Sequence, residues 1–560
     1  MLVLASLLLT SLINFSAAAS YGNYDPAVAI KDDGSVQGTD RIQRSGNVYT
    51  LTGDIAITEQ YCPAGIQVLK DNVVIDGAGF SVKTNGSAWM GIDLSQRSNV
   101  LIKNLKIKGF QQGIFLNNST RNTVEGNEIV GFSGPPPYGV PTGIWVGPSS
   151  SYNRIVSNNI SSNIEYGILV ESESGGNYIE SNIVRDNGVG IDLSYSPGNI
   201  LRNNRMIGNN GSLELGYNSY AQFIQDIDNS NTIDGKPVYY WIDQHNKTVP
   251  ANAAFVAIAN STNIIVRDLL ISRSMDSITL INTNNSVITN NRIEKNGNGI
   301  FLKYSQNISI TNNSILSNRY SGVGMIASSN ITIMDNIIDS SGFGISTAGQ
   351  TNAHAGGRGS TNVVIYRNDI TNNDPGIYLS LSQNITASTN LFSKNTYGIN
   401  LISSSTIDIV ENTFLENNNG AVRISGAYNN TFYHNNFINN SSPGSQVFNP
   451  WIVLGNPEDN IWDNGFEGNY WNDFQQRYPN ASEVAGSGVW NMPYYINEKN
   501  IDRYPLVNPY KPRTQVQEED SLQNVFSDWS IVPVAVASVA TVAVISVGLL
   551  VYFKKRKRKC

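Results

Sequence analysis

The 560 residues include only two cysteines and three histidines, and charged residues make up just 14%. Cys62 and Cys560 stand far apart, so a disulfide framework is excluded as a source of stability. His245, His354 and His434 are scattered, and copper sites want clusters of His, Cys and Met. Met325 and Met334 fall on strand-like runs, with Met325 at an inward, core-filling position. Apolar residues at helical spacing are missing from the body of the chain, which excludes a helical bundle. Long apolar runs are confined to the two termini.

What fills the chain instead is a repeat. A glycine followed by an aliphatic residue recurs at Gly91, Gly113, Gly143, Gly167 and Gly190, then at Gly299, Gly322, Gly344, Gly376, Gly398 and Gly420. The usual step is about 22 to 24 residues, the period of a stacked supersecondary unit. Between glycines lie short runs of alternating apolar and polar residues, divided by Ser, Asn and Gly, as in Gly299-Ile300-Phe301-Leu302 and Asn307-Ile308-Ser309-Ile310. Such runs are half-buried strands, and three per period make one rung of a right-handed parallel β-helix. The predicted fold is all-β, a solenoid closed by an aromatic-rich C-terminal cap and followed by one transmembrane helix.

An asparagine keeps step with the glycines, at Asn127, Asn158, Asn182, Asn204, Asn291, Asn313, Asn336, Asn368, Asn390, Asn412 and Asn435. Stacked at the strand spacing of about 4.8 Å, their amides can satisfy one another and the bent backbone. Asparagine also tolerates the left-handed conformation that a sharp corner needs. These positions are therefore scaffold. Insertions interrupt two periods, at residues 131–142 and 351–360, and leave the wall as loops. Residues 211–298 lose the glycine rhythm but keep strand-like runs, and read as irregular coils of the same helix.

The ends place the protein. Residues 1–19 are apolar and finish Ala17-Ala18-Ala19, a signal peptide with an A-x-A site. The helix with its N-terminal cap then spans 20–448, the cap segment 449–510 and a flexible stalk 511–530. Residues 531–553 are uncharged and long enough to cross a bilayer, and the basic tail 554–560 follows at once. The expectation is a single-pass type I protein of the cell membrane with its β-helix outside. The net charge is −7, and without the six cations of Lys554–Lys559 the remainder carries −13. Such a surface discourages nucleic acid and suits divalent cations such as calcium. Sequons occur, among them Asn85, Asn246 and Asn330, so an exported chain could be a glycoprotein. The tryptophans of the cap segment suit either closure of an open solenoid end or stacking on sugars.

Three passages go beyond the generic repeat: residues 66–79 (IQVLKDNVVIDGAG), residues 231–241 (NTIDGKPVYYW), and the ending, with Tyr433–Asn439, Gly468–Asp473 and Tyr504–Val507. Over roughly residues 25 to 510 the chain resembles the NosD-like group of right-handed β-helix proteins, also called carbohydrate-binding and sugar-hydrolase (CASH) domains. It looks like the membrane-anchored archaeal surface members of that group. The resemblance implies a pectate-lyase-like superfold and, for the group's namesake, a role in copper maturation. Copper is disfavoured here by the scattered histidines.

Catalytic signatures of β-helix enzymes are missing. There is no Asp-Pro-His-Asp run, Asp374-Pro375-Gly376 being only a turn, and Trp241-Ile242-Asp243-Gln244-His245 puts its histidine on the wrong strand face for a lyase signature. In each Gly-Ile-x-Leu strand x points outward. That column reads Asp93, Phe115, Trp145, Leu169, Asp192, then Phe301, Gly324, Ser346, Tyr378, Asn400 and Val422. Phe115, Trp145 and Leu169 should form an outward apolar patch beside the Pro135–Tyr138 loop. Either the loop folds over the patch, or Trp145, Phe115 and Tyr138 form a sugar-binding platform. Glu171 and Asp192 lie just beyond, either as solvated carboxylates or as an acid/base pair. His354 and Arg358 mark a second candidate loop. The expected function is binding of extracellular polysaccharide, surface-layer components or partner proteins without catalysis. The alternatives are a polysaccharide lyase or hydrolase, and a copper-handling protein.

Overall fold

A computed structural model describes residues 25–58, 62–84, 88–131, 140–216, 220–347, 359–440, 446–448 and 459–511. The chain winds into a right-handed parallel β-solenoid with three strands per coil, and the only helices among these residues are the short Tyr220–Phe223 and Phe474–Arg477. In the N-terminal half the Gly-Ile strands stack from Cys62–Val68 through Ala88–Asp93, Gln112–Leu116, Thr142–Val146, Tyr166–Val170 and Val189–Asp192 to Gly211–Glu214. Two further sheets complete each coil.

Inward Ile and Val side chains make the core. Ile114, Ile144, Ile168 and Ile191 lie in register on successive strands and are fully buried. Each such side chain is worth roughly 1.5–3 kcal/mol of burial. The glycine beside them is required by close approach. A Cβ on Gly322 would meet the carbonyl oxygen of Gly344 at 2.7 Å and Ile338 Cγ2 at 2.7 Å. One rung's glycine therefore makes room for the next.

The asparagine columns are continuous. Asn368 Nδ2 donates to Asn390 Oδ1 at 3.0 Å and to the Ile333 carbonyl at 2.9 Å. Its Oδ1 accepts from the Asn336 backbone N–H at 3.0 Å and from Asn336 Nδ2 at 2.9 Å. The left-handed residue is not the ladder asparagine itself but the one before it: Arg367 at φ 51°, Thr389 at 55°, Asn312 at 55°. The buried amide satisfies the corner while its neighbour turns it. Parallel columns run elsewhere, through Asn122, Asn153 and Asn177, and through Asn373, Asn395 and Asn417.

Residues 211–298 contain a change of direction. Thr232–Ile233 turns back at Asp234-Gly235 into the antiparallel strand Lys236–Ile242, from which parallel stacking resumes through Phe255–Ala259 and Asp276–Ile281. The buried side chains form two large clusters that meet in this region. Gly211–Glu214, the last strand of the first Gly-Ile sheet, abuts the start of Asp276–Ile281, with Ser212 Oγ donating to the Arg273 carbonyl at 3.2 Å. From there six further rungs carry the second Gly-Ile sheet to Val422–Ser425.

At the C-terminal end, stacked aromatics extend the core: Phe392, Phe414, Phe437, Trp471 and Tyr494 lie ring over ring at centroid spacings of 4.9, 5.1, 4.2 and 4.0 Å. The asparagine ladder ends there on a carboxylate. Asp502 Oδ2 accepts from the Asn469 backbone N–H at 2.7 Å and from Trp471 Nε1 at 2.8 Å. Trp462 and Trp471 are buried. No helix among the described residues is long and apolar enough to cross a membrane, and residues 1–19 and 531–560 lie outside them.

Candidate functional site

The outward side of the first Gly-Ile sheet is where the surface departs most from a solvated wall. Phe115, Trp145, Leu169, Asp192 and Glu214 stand in register on five successive strands. Phe115 and Leu169 do face outward, yet they are only 7% and 4% exposed. Phe115 packs with Ala64, Met90, Trp89 and Trp145 into a small apolar cluster outside the main core. The expected open patch is thus covered along most of its length. Trp145 remains half-buried, edge-on to Phe115 at 5.1 Å.

Trp145 is held from the next rung. Its Nε1–H donates to Glu171 Oε1 at 3.0 Å, which fixes the indole plane and draws Glu171 back toward the ring. Asp192 is not the solvated carboxylate that an outward position predicts; it is 4% exposed and accepts from the Ser194 backbone N–H at 2.6 Å. The structure adds members the glycine rule missed. Glu214 is the next in the column, and Asp276 follows across the junction, where Asn298 Nδ2 donates to its Oδ1 at 2.8 Å. Tyr166, three residues before Leu169, lies close enough to this row to feel the charges of Asp192, Glu214 and Glu171. A signal existed in the sequence: Ser212 and Ser277 stand in the glycine position of their coils.

Burial sets the electrostatics. It pushes Asp192 up to about 6, with the Glu171 charge adding and the Ser194 hydrogen bonds opposing. It carries Asp276 to about 7 against the Asn298 hydrogen bond. Glu214 is held well above the carboxylate range by burial and then by Asp192 and Asp276. Glu171 is raised by burial, partly offset by the Trp145 hydrogen bond. Tyr166 is kept protonated by burial and by the charges of Asp192, Glu214, Glu165 and Glu171 around it. These carboxyls hold their protons to higher pH than ordinary carboxylates, Glu214 well above them, so with the phenol the ledge presents donors as well as acceptors.

Other expected positions fall differently. Val422 is not the outward residue of its coil. It pairs with Ile399 and is fully buried, while Ala421 takes the glycine position and Arg423 points outward. Tyr138, His354 and Arg358 lie outside the described residues.

The right-handed β-helix region family matches residues 56–210, and the family of the periplasmic copper-binding protein (NosD) matches residues 215–357 and 357–476. The chain carries a right-handed parallel β-helix that is NosD-like over residues 215–476. No curated protein matches this chain. Among solved structures, the A-module of the Azotobacter vinelandii mannuronan C-5 epimerase AlgE4 is 14% identical, covering 74% of this chain and 88% of that one, with a TM-score of 0.23. The periplasmic alginate epimerase AlgG is 15% identical over 66% and 80%, with a TM-score of 0.26. The Dettilon tailspike protein is 14% identical over 69% and 62%, with a TM-score of 0.23. At such scores none of these likenesses carries an argument about function.

The NosD description names copper, and the described residues do not fit it. Cys62 is buried with its Sγ against the Ala64 carbonyl at 3.1 Å. His434 bonds Glu467 Oε2 at 2.8 Å and stacks on Tyr510 at 4.1 Å. Met325 is core. Among the described residues no group of three or more His, Cys, Asp or Glu could hold a metal ion, calcium included.

Proposed function

We propose that this is a membrane-anchored extracellular β-helix protein that binds saccharides along the Trp145 ledge. The observation carrying the reading is the Trp145 indole, half-buried and fixed by Glu171, beside Tyr166 and a row of carboxyl groups able to donate or accept. A flat apolar face rimmed by convergent polar groups matches a sugar ring, which has an apolar C–H face and a hydroxyl rim. The charge-free stretch 531–553 with its basic tail supports the anchor. A glycan array probed with the full-length protein in detergent tests the reading. Glycans retained by the wild type and lost by Trp145→Ala are expected, with no new reducing ends or unsaturated products.

A second reading has its own support. Asp192 at about 6 beside the partly buried Glu171 is the kind of carboxyl that protonates a glycosidic oxygen. Appearance of cleaved oligosaccharide with wild type but not with Asp192→Asn would favour it over binding alone.

A further inference from the structure

The outward column continues on the second half of the solenoid, and its far end differs in chemistry. Tyr378, Asn400 and Arg423 stand in register on three successive strands. Asn400 is 5% exposed, and its Oδ1 is buried without a hydrogen-bond partner. On the next rung Arg423 Nε is likewise buried and unpartnered, although Arg423 as a whole is only half-buried. The guanidinium lies 5.7 Å from the centre of the Tyr397 ring, and among the described residues no carboxylate pairs with it. Tyr378, one rung below Asn400, is packed against Phe343 at 5.1 Å. Buried polar atoms are nearly always satisfied, and a buried arginine is normally paired. Here two neighbouring rungs leave a donor and an acceptor unmet at the same outward place, walled by two phenols.

We infer that Arg423, Asn400, Tyr397 and Tyr378 form a second binding site, specific for a sugar bearing a carboxylate. The guanidinium fork fits a carboxylate in planar fashion, and an amide oxygen accepts a sugar hydroxyl. The tyrosine faces take the C–H side of the ring. The acidic remainder of the surface selects for a single anionic group over a polyanion. The site stands apart from the Trp145 ledge, since six rungs at about 4.8 Å place Arg423 roughly 29 Å from Asp276.

Saturation-transfer NMR and titration of full-length protein with methyl β-D-glucuronoside and its methyl ester test this. The glucuronoside is expected to bind at least about tenfold more tightly than the ester. Arg423→Gln should abolish that preference and Asn400→Ala should weaken binding. Arg423→Lys should retain only part of it. The acid-over-ester preference should persist in Trp145→Ala even as saccharide binding at the ledge is lost, which separates this site from the first one. Circular dichroism melts of each variant, expected to match the wild type, exclude loss of fold as the cause. Equal binding of acid and ester overturns the inference. So does an Arg423→Gln protein that binds like wild type, absence of any glucuronoside signal, or loss of the acid-over-ester preference in Trp145→Ala.

Discussion

The corners of this solenoid and the outer ledge of its Gly-Ile sheet are built on the same rungs, yet they treat polar groups in opposite ways. At the corners each asparagine amide meets the next, and backbone N–H and C=O groups are satisfied with it, as around Asn368. Along the ledge Asp192 is buried and Glu214 half-buried beside it with no cation paired to them among the described residues, and further along the same face Arg423 is half-buried with no anion among them. The corner arrangement repeats because it stabilises every rung equally. The ledge does not repeat, and it costs stability locally, which is what binding surfaces commonly do.

The comparison can be broken hardest at a corner. Asn368→Ala removes the partners of Asn336, Asn390 and the Ile333 carbonyl together. A loss of about 3 kcal/mol or more is expected in denaturant unfolding, since each stranded buried group costs about 1–3 kcal/mol. Gly322→Ala forces a Cβ against the Gly344 carbonyl and should destabilise by about 2 kcal/mol or more, as overpacking does.

On the ledge a substitution should do the reverse. Asp192 is raised from 3.8 to about 6 and Asp276 from 3.8 to about 7, so their contributions are fully present below pH 3.8 and lost as pH rises through those values. Carboxylates lowered by hydrogen bonds at the surface, such as Asp76 and Asp339, act oppositely and fail on acidification. The wild-type melting temperature should therefore peak at mildly acidic pH. Asp192→Asn, which keeps an oxygen for Ser194, should raise the melting temperature above about pH 6 and flatten the decline between about pH 4 and pH 7. A steeper decline in that variant would show that the charge is compensated. The smallest stability effect belongs to Trp145→Ala, whose ring sits in the minor outer cluster; its melting curve should stay near wild type while binding is lost.

The fold was legible because a solenoid writes its contacts at one period. Gly, Ile and Asn recur where each rung meets the next, so register could be read without coordinates. The ledge was legible only where that register held. Phe115, Trp145, Leu169 and Asp192 were placed in one column by the glycine rule, whereas Glu214 was hidden by Ser212 in the glycine position, and Asp276 lies one residue before that position, in register with Asn298, where the rule does not look. Arg423 was missed because Ala421 replaces the glycine and shifts the count by one. Burial of Asp192 could not be read from its outward parity, because parity gives the side of the strand and not how closely the neighbouring side chains pack over it.

The most direct test of the account is the set of glycans retained by the full-length protein and by its Trp145→Ala variant, measured side by side with their melting temperatures. The account predicts a defined saccharide set bound by wild type and lost in the variant at an unchanged melting temperature. Retention of the same set by the variant, or no glycan bound by either, would contradict it.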